Sequence, residues 1–103
     1  MSDAAARELL EAIPKFVKRL PVRAAPIAWD PFRRPSYKEG RLEVAIMLGH
    51  HLRFLPVSLK AEEVLRAIRP KAGWYLVIYP DGSLSAMQPS EFLSVAARLD
   101  KAA

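Results

Sequence analysis

Two stretches of this chain alternate apolar and polar residues, and each divides at a turn. In the first, Leu42, Val44, Ile46 and Leu48 alternate with Arg41, Glu43, Ala45 and Met47, the period of a half-buried strand. Gly49-His50 then suits a two-residue turn of the II′ type. That turn sets Leu48 opposite His51, Ile46 opposite Arg53, Val44 opposite Leu55 and Leu42 opposite Val57. The other face carries Arg41, Glu43, Ala45, Met47, Leu52 and Phe54. In the second stretch, Gly73 to Gln88, Pro80-Asp81-Gly82 fits a three-residue loop closed by a left-handed glycine. It pairs Tyr79 with Ser83, Ile78 with Leu84, Val77 with Ser85, Leu76 with Ala86 and Tyr75 with Met87. Leu76, Ile78, Leu84 and Ala86 then share an aliphatic face, and Tyr75, Val77, Tyr79, Ser83, Ser85 and Met87 share the other.

Three stretches follow a helical period instead. Leu9, Ile13, Phe16 and Leu20 form one stripe, capped by Ser2, with Pro14 either kinking the helix or restarting it. Ser58 to Arg69 forms a second, with Ala61, Val64, Leu65 and Ile68 inward, Glu62 supporting Arg66 outward, and Pro70 as the stop. Ser90 caps the third, whose stripe is Phe92, Val95, Ala96 and Leu99. Between the first helix and the first hairpin, Pro21, Pro26, Pro31 and Pro35 argue against both a helix and a central strand. The segment 21–38 is therefore expected to be an extended basic strap. Its Trp29 and Phe32 stand beside Arg33 and Arg34, either pinned into the core or offered to a ligand, with Trp29 the more core-like ring. The sum is a single α+β domain over residues 1–103. The simplest packing is a four-stranded antiparallel sheet of two hairpins, with helices on one face and the other face exposed.

Composition narrows the class of protein. The 103 residues are 51% hydrophobic and 26% charged, as in a folded globular domain. No apolar run is long enough for a membrane span and no signal peptide is recognisable, so a cytoplasmic location without membrane association is expected. Cysteine, Asn and Thr are absent and Gln88 is the single Gln. That depletion, with abundant Arg, Ala and Pro, suggests a GC-rich genome and a hot habitat. The net charge of +5 is concentrated: eight basic residues but only Asp30 and Glu39 lie between Pro14 and Arg41. A local field of that sign favours a polyanionic partner.

The inventory for catalysis is thin. His50 and His51 are adjacent and point to opposite faces of a strand, a poor arrangement for joint metal coordination. Glu62 and Glu63 are adjacent on a helix, and no nucleotide-binding, metalloprotease or nucleophile-elbow motif occurs. No catalytic residue, metal site or cofactor is expected. Binding fits better. Side by side, the two hairpins would set Met47, Leu52, Phe54, Tyr75, Val77, Tyr79 and Met87 on one apolar, aromatic face. Arg33, Arg34, Lys38 and Arg41 would border it together with Phe32. Rings that stack on any base, next to cations that hold phosphates, describe a single-stranded DNA-binding surface with little sequence preference. RNA competes as a ligand, since nothing in the sequence reads a 2′-hydroxyl. The rival reading docks a protein on the same face, as a module of a replication or transcription complex. A metal-assisted nuclease using His50 or His51 stands third. No long heptad repeat is present, and a homodimer paired through the last helix stays open.

With its element order, its basic content and the strands EVAIMLGHHLRFLPV and GWYLVIYPDG, the chain resembles a known family. It is similar to the small single-stranded DNA-binding proteins of hyperthermophilic archaea that do not use the OB-fold, the type first recognised in Thermoproteales, and to their shorter relatives. The resemblance implies a four-stranded antiparallel sheet backed by helices, with DNA in a basic cleft floored by hydrophobic and aromatic side chains. Some members add a long zipper-like helix for dimerisation, which the short stretch after Leu99 gives no reason to expect here.

Overall fold

The structure, a computed structural model, describes residues 3–17 and 22–102. Helix α1 spans Asp3–Ala12 and turns Leu9, Leu10 and the following Ile13 toward the core. It ends there because the residue before a proline is pushed out of helical geometry, and that residue is Ile13. The helical stripe read through Phe16 is thus overturned: Lys15–Val17 forms a short strand, β1. Ser2, Lys18, Arg19 and Leu20 lie outside the described residues. The missing cation at the end of α1 comes from elsewhere in the chain. The Arg23 guanidinium donates to the carbonyls of Glu11 at 2.9 Å and Ile13 at 2.7 Å, which would otherwise be orphaned at the helix terminus.

Strand β2, Val22–Pro26, is the largest departure from the expected strap. It is central: β1 lies on one side and β6, Tyr75–Ile78, on the other, in a four-stranded antiparallel sheet of order β1-β2-β6-β7. Strand β7 is Leu84–Met87. Prolines do not prevent this because Pro26 sits at the strand's end, and its nitrogen faces away from β6. Ile27 resumes the ladder toward that neighbour, donating to the Trp74 carbonyl at 2.7 Å and accepting from Gly73 at 2.9 Å. On the opposite side β1 has already ended. There Ile27 bridges Ile46, and Ala28 donates to Ala45 at 2.8 Å. Continuing that bridge backward would need an N–H from residue 26, which proline lacks, so the link remains one bridge long.

Through that bridge the chain enters a second, three-stranded antiparallel sheet of β3 (Tyr37–Lys38), β4 (Arg41–Leu48) and β5 (His51–Pro56). The β3–β4 turn, Glu39-Gly40, holds both residues at positive φ, 54° and 78°, as a type I′ hairpin requires. The β4–β5 register is the one read from the sequence, from Leu48 opposite His51 to Val44 opposite Leu55, and Val57 donates to Leu42 at 2.9 Å. All the β6–β7 pairs likewise stand as read, with Tyr79 donating to Ser83 at 2.9 Å and Gly82 at φ 88°.

The two hairpins therefore hold their registers, but they belong to different sheets. The fold is α+β and antiparallel; the single sheet made of both hairpins is not what forms. Helix α2, Leu59–Ile68, is capped by Ser58, whose hydroxyl accepts from the Ala61 N–H at 3.1 Å, and ends at Arg69 in the left-handed conformation. Its Ala61 and Leu65 enter the main core, while Val64 stays exposed. That core draws on one face of each sheet, with α1 and α2 completing it. Leu42, Val44 and Ile46 come from β4, Leu55 from β5, and Leu76, Ile78 and Ala86 from the β6–β7 hairpin.

Helix α3, Pro89–Ala102, begins with proline in its first turn and covers the other face of the larger sheet. Phe92 and Ala96 pack there with Val22, Ala24, Val77 and Met87, and Tyr75, Tyr79 and Val95 close the margins. The larger sheet is thus covered on both faces.

Candidate functional site

Among the described residues, the outer face of the smaller sheet is the one left open. Alternation along β4 and β5 turns Arg41, Glu43, Ala45, Met47, Leu52, Phe54 and Pro56 away from the core, and the Lys38–Arg41 pair extends the row through β3. Lys38, Arg41 and Leu52 are exposed, and Met47 and Phe54 are half-buried. Ala45 is the exception, sealed at 1% exposure, where the chain crosses from β2.

Trp29 follows that crossing directly. Its ring lies against Phe54, centroids 5.9 Å apart and 59° between planes. Its Nε1–H donates to the Arg34 carbonyl at 3.2 Å, and the Arg34 guanidinium folds back over the indole, Cζ 4.1 Å from the centroid. The intervening turn is fixed by Asp30. Its carboxylate accepts the Phe32 N–H at 2.8 Å, and its carbonyl accepts from Arg33 and Arg34, both at 3.2 Å. An Asp able to mimic a turn in its side chain, followed by buried Pro31, makes this a rigid corner. The result is a cluster in which the Phe54 ring tilts against the indole and the exposed Arg34 guanidinium lies over an indole face.

Charge on this surface is largely uncompensated. Among the described residues, Arg33, Arg34, Lys38 and Arg41 have no carboxylate within ion-pairing distance; the ion pair present is Arg66–Glu62, at 3.0 Å on α2. Glu43, the acid within the row, is held by Ser36, whose hydroxyl donates to it at 3.1 Å. The face can therefore attract an anion without first breaking salt bridges, and its apolar members offer flat contact area beside the charges.

Six of the residues singled out from the sequence meet here: Arg34, Lys38, Arg41, Met47, Leu52 and Phe54. Arg33 is exposed on the Asp30 turn. Tyr75, Tyr79 and Met87 do not join them, because α3 covers their side of the β6–β7 hairpin; Met87 is 8% exposed and Tyr75 stacks on Phe92. The continuous platform across both hairpins is thereby overturned. Phe32 also points elsewhere. It packs against the main core beneath the Arg66 guanidinium, 4.8 Å away. The roles expected of the two strap rings are exchanged: Phe32 borders the core and Trp29 the open face. The sequence signal for Trp29 was its place just before Asp30-Pro31, where a chain leaving a strand must turn across the neighbouring sheet.

A groove of about 680 Å³ runs round the edge of β5 that no described strand pairs, lined on one side by Glu8, Leu9 and Ala12 of α1 and on the other by Leu52, Arg53 and Phe54. Since His51, Arg53 and Leu55 bond to β4, the N–H and C=O groups of Leu52 and Phe54 point outward along this edge. His50 and His51 are exposed at the adjoining turn. Among the described residues no three His, Asp or Glu side chains converge as a metal site would need, and no helix is long and apolar enough to cross a membrane. No family model, curated protein or solved structure matches the chain.

Proposed function

We propose that this chain is a non-catalytic, cytoplasmic single-stranded DNA-binding protein with little sequence preference, and that its contact surface is the outer face of β3-β4-β5. The observation that carries the reading is the Arg34 guanidinium laid over Trp29, itself against Phe54, on the sheet face that also carries Lys38 and Arg41, which have no ion pair among the described residues. Stacking contributes about 1–3 kcal/mol per base and accepts any base. Duplex DNA hides its base faces, so such a surface favours an unpaired strand. Arg33, Arg34, Lys38 and Arg41 supply the phosphate contacts, and Met47 and Leu52 supply apolar floor. Tyr75, Tyr79 and Met87 have no part in it. The same activity is what the resemblance to the archaeal single-strand binders implies.

Titration of labelled oligo-dT, a random duplex and a matching RNA at several salt concentrations tests the proposal. Tight binding to the single strand is expected, with log K falling against log salt at a slope of about −2 to −3 if three or four phosphates are neutralised. Phe54→Ala should weaken it, and Tyr79→Ala should not. Equal binding to duplex, or none to any strand, would overturn the proposal.

A second reading has its own observation in the open β5 edge and the groove beside it. Outward Leu52 and Phe54 backbone groups, with Leu52 40% exposed, are what an added strand from a protein partner in a replication or transcription complex would use. Failure of every nucleic acid to bind would transfer the weight to that reading.

A further inference from the structure

We infer that Arg34, rather than the indole beneath it, is the plane on which a nucleobase stacks, so that the bound state is a base–guanidinium–indole tier. This rests on the proposed nucleic-acid reading and specifies how its central contact is made. An aromatic ring in a binding face is ordinarily taken as the stacking surface. Here one face of Trp29 is already covered, with the Arg34 Cζ 4.1 Å from its centroid.

Three facts argue against Arg34 swinging aside. Its backbone is held at both ends, its N–H donating to Asp30 and its carbonyl accepting from the Trp29 Nε1–H. Leaving the ring forfeits a cation–π contact, which stacking on top would keep. Where it stands, no carboxylate among the described residues is within ion-pairing distance to draw the guanidinium off the ring. Staying in place costs nothing of this and leaves the outer side of an exposed, planar group free. A guanidinium is also a recognised stacking plane for unpaired bases. Its N–H groups lie around the rim of that plane, so the same residue can stack on a base and bond the adjoining phosphate. Lysine carries the charge but has neither the plane nor the fork.

The test separates base from backbone. Wild type, Arg34→Lys, Arg34→Ala and Lys38→Ala/Arg41→Ala are titrated with oligo-dT and with an abasic deoxyribose-phosphate strand of equal length. Arg34→Lys should lose between about 5-fold and 150-fold on oligo-dT, the range of one stacked base. It should bind the abasic strand nearly as wild type does, with the same salt slope. The Lys38→Ala/Arg41→Ala variant should lose affinity for both strands alike. In the wild-type protein, the Arg34 Nε–H resonance should move upfield with oligo-dT and not with the abasic strand, a readout that needs no variant to fold. Arg34→Lys binding oligo-dT like wild type, or losing equally on both strands, overturns the inference and leaves the binding surface standing. Wild-type protein that binds neither strand overturns both.

Discussion

The ring of Tyr75 lies stacked on that of Phe92, centroids 5.0 Å apart and 20° between planes. This pair decides which surface of the molecule is open. Tyr75 leaves β6 on the side that would have been an exposed platform, and α3 uses Phe92 to close it. Phe92 is among the largest fully buried side chains. Phe92→Ala removes both the stack and the plug, and should cost about 3–5 kcal/mol in urea denaturation. A cost below about 1 kcal/mol would mean that α3 does not seal the sheet.

Glu39 occupies a left-handed conformation that side chains with a Cβ rarely adopt, φ 54°, because the β3–β4 turn requires it. Asn tolerates that geometry far better. Glu39→Asn is expected to stabilise the fold by about 0.5–1 kcal/mol, read as a higher urea midpoint at unchanged m-value. An unchanged midpoint would argue that the turn is not of the I′ type.

Arg23 reaches from β2 to the last carbonyls of α1. Arg23→Met keeps the apolar stem and removes both charge-assisted bonds, at an expected cost of about 2 kcal/mol. Native-state hydrogen exchange should locate the damage, with amides of the last turn of α1 exchanging faster and those of α2 unaffected.

Asp81 sits on the β6–β7 turn, its carboxylate accepting from the Ser83 hydroxyl at 2.6 Å and the Ser83 N–H at 2.9 Å. These bonds, the hydroxyl's foremost, hold its pKa below the ordinary aspartate value. A carboxyl whose folded pKa is depressed stabilises the fold above its unfolded pKa of about 3.9, and that contribution fades as pH falls through the lower folded value. NMR titration of the Asp81 carboxyl should therefore give a midpoint below that of a model peptide, and Ser83→Ala should raise it.

The hairpins were legible because their turns are chemically specific. Gly49 and Gly82 fix the registers, and alternation then assigns every face. What alternation leaves open is which sheet a hairpin joins, and an amphipathic stripe such as Phe92, Val95 and Ala96 states that a helix is covered on one side without saying by which face of which sheet. Hence Arg41, Met47, Leu52 and Phe54 share one face as alternation implies, whereas Tyr75, Tyr79 and Met87 lie in the other sheet against α3. Strand β2 was hidden by its own proline: Pro26 reads as a breaker until its nitrogen is seen to face a gap between β1 and β4. Strand β3 was hidden by its length, two residues, too short for any periodicity.

The pairing of Arg23 with Ile78 and of Pro26 with Tyr75 also has a consequence for the order in which the chain assembles. During synthesis, β3, β4, β5 and α2 are all made before the first residue of β6 exists. The smaller sheet, with short loops and local pairings, is free to form early. Val22 to Ile27 meanwhile keeps one edge without its eventual neighbour while about fifty further residues are added, and of all the strand pairings this one closes the longest loop. A chaperone that recognises short apolar extended segments would find its opportunity there, in the interval before Tyr75–Ile78 emerges.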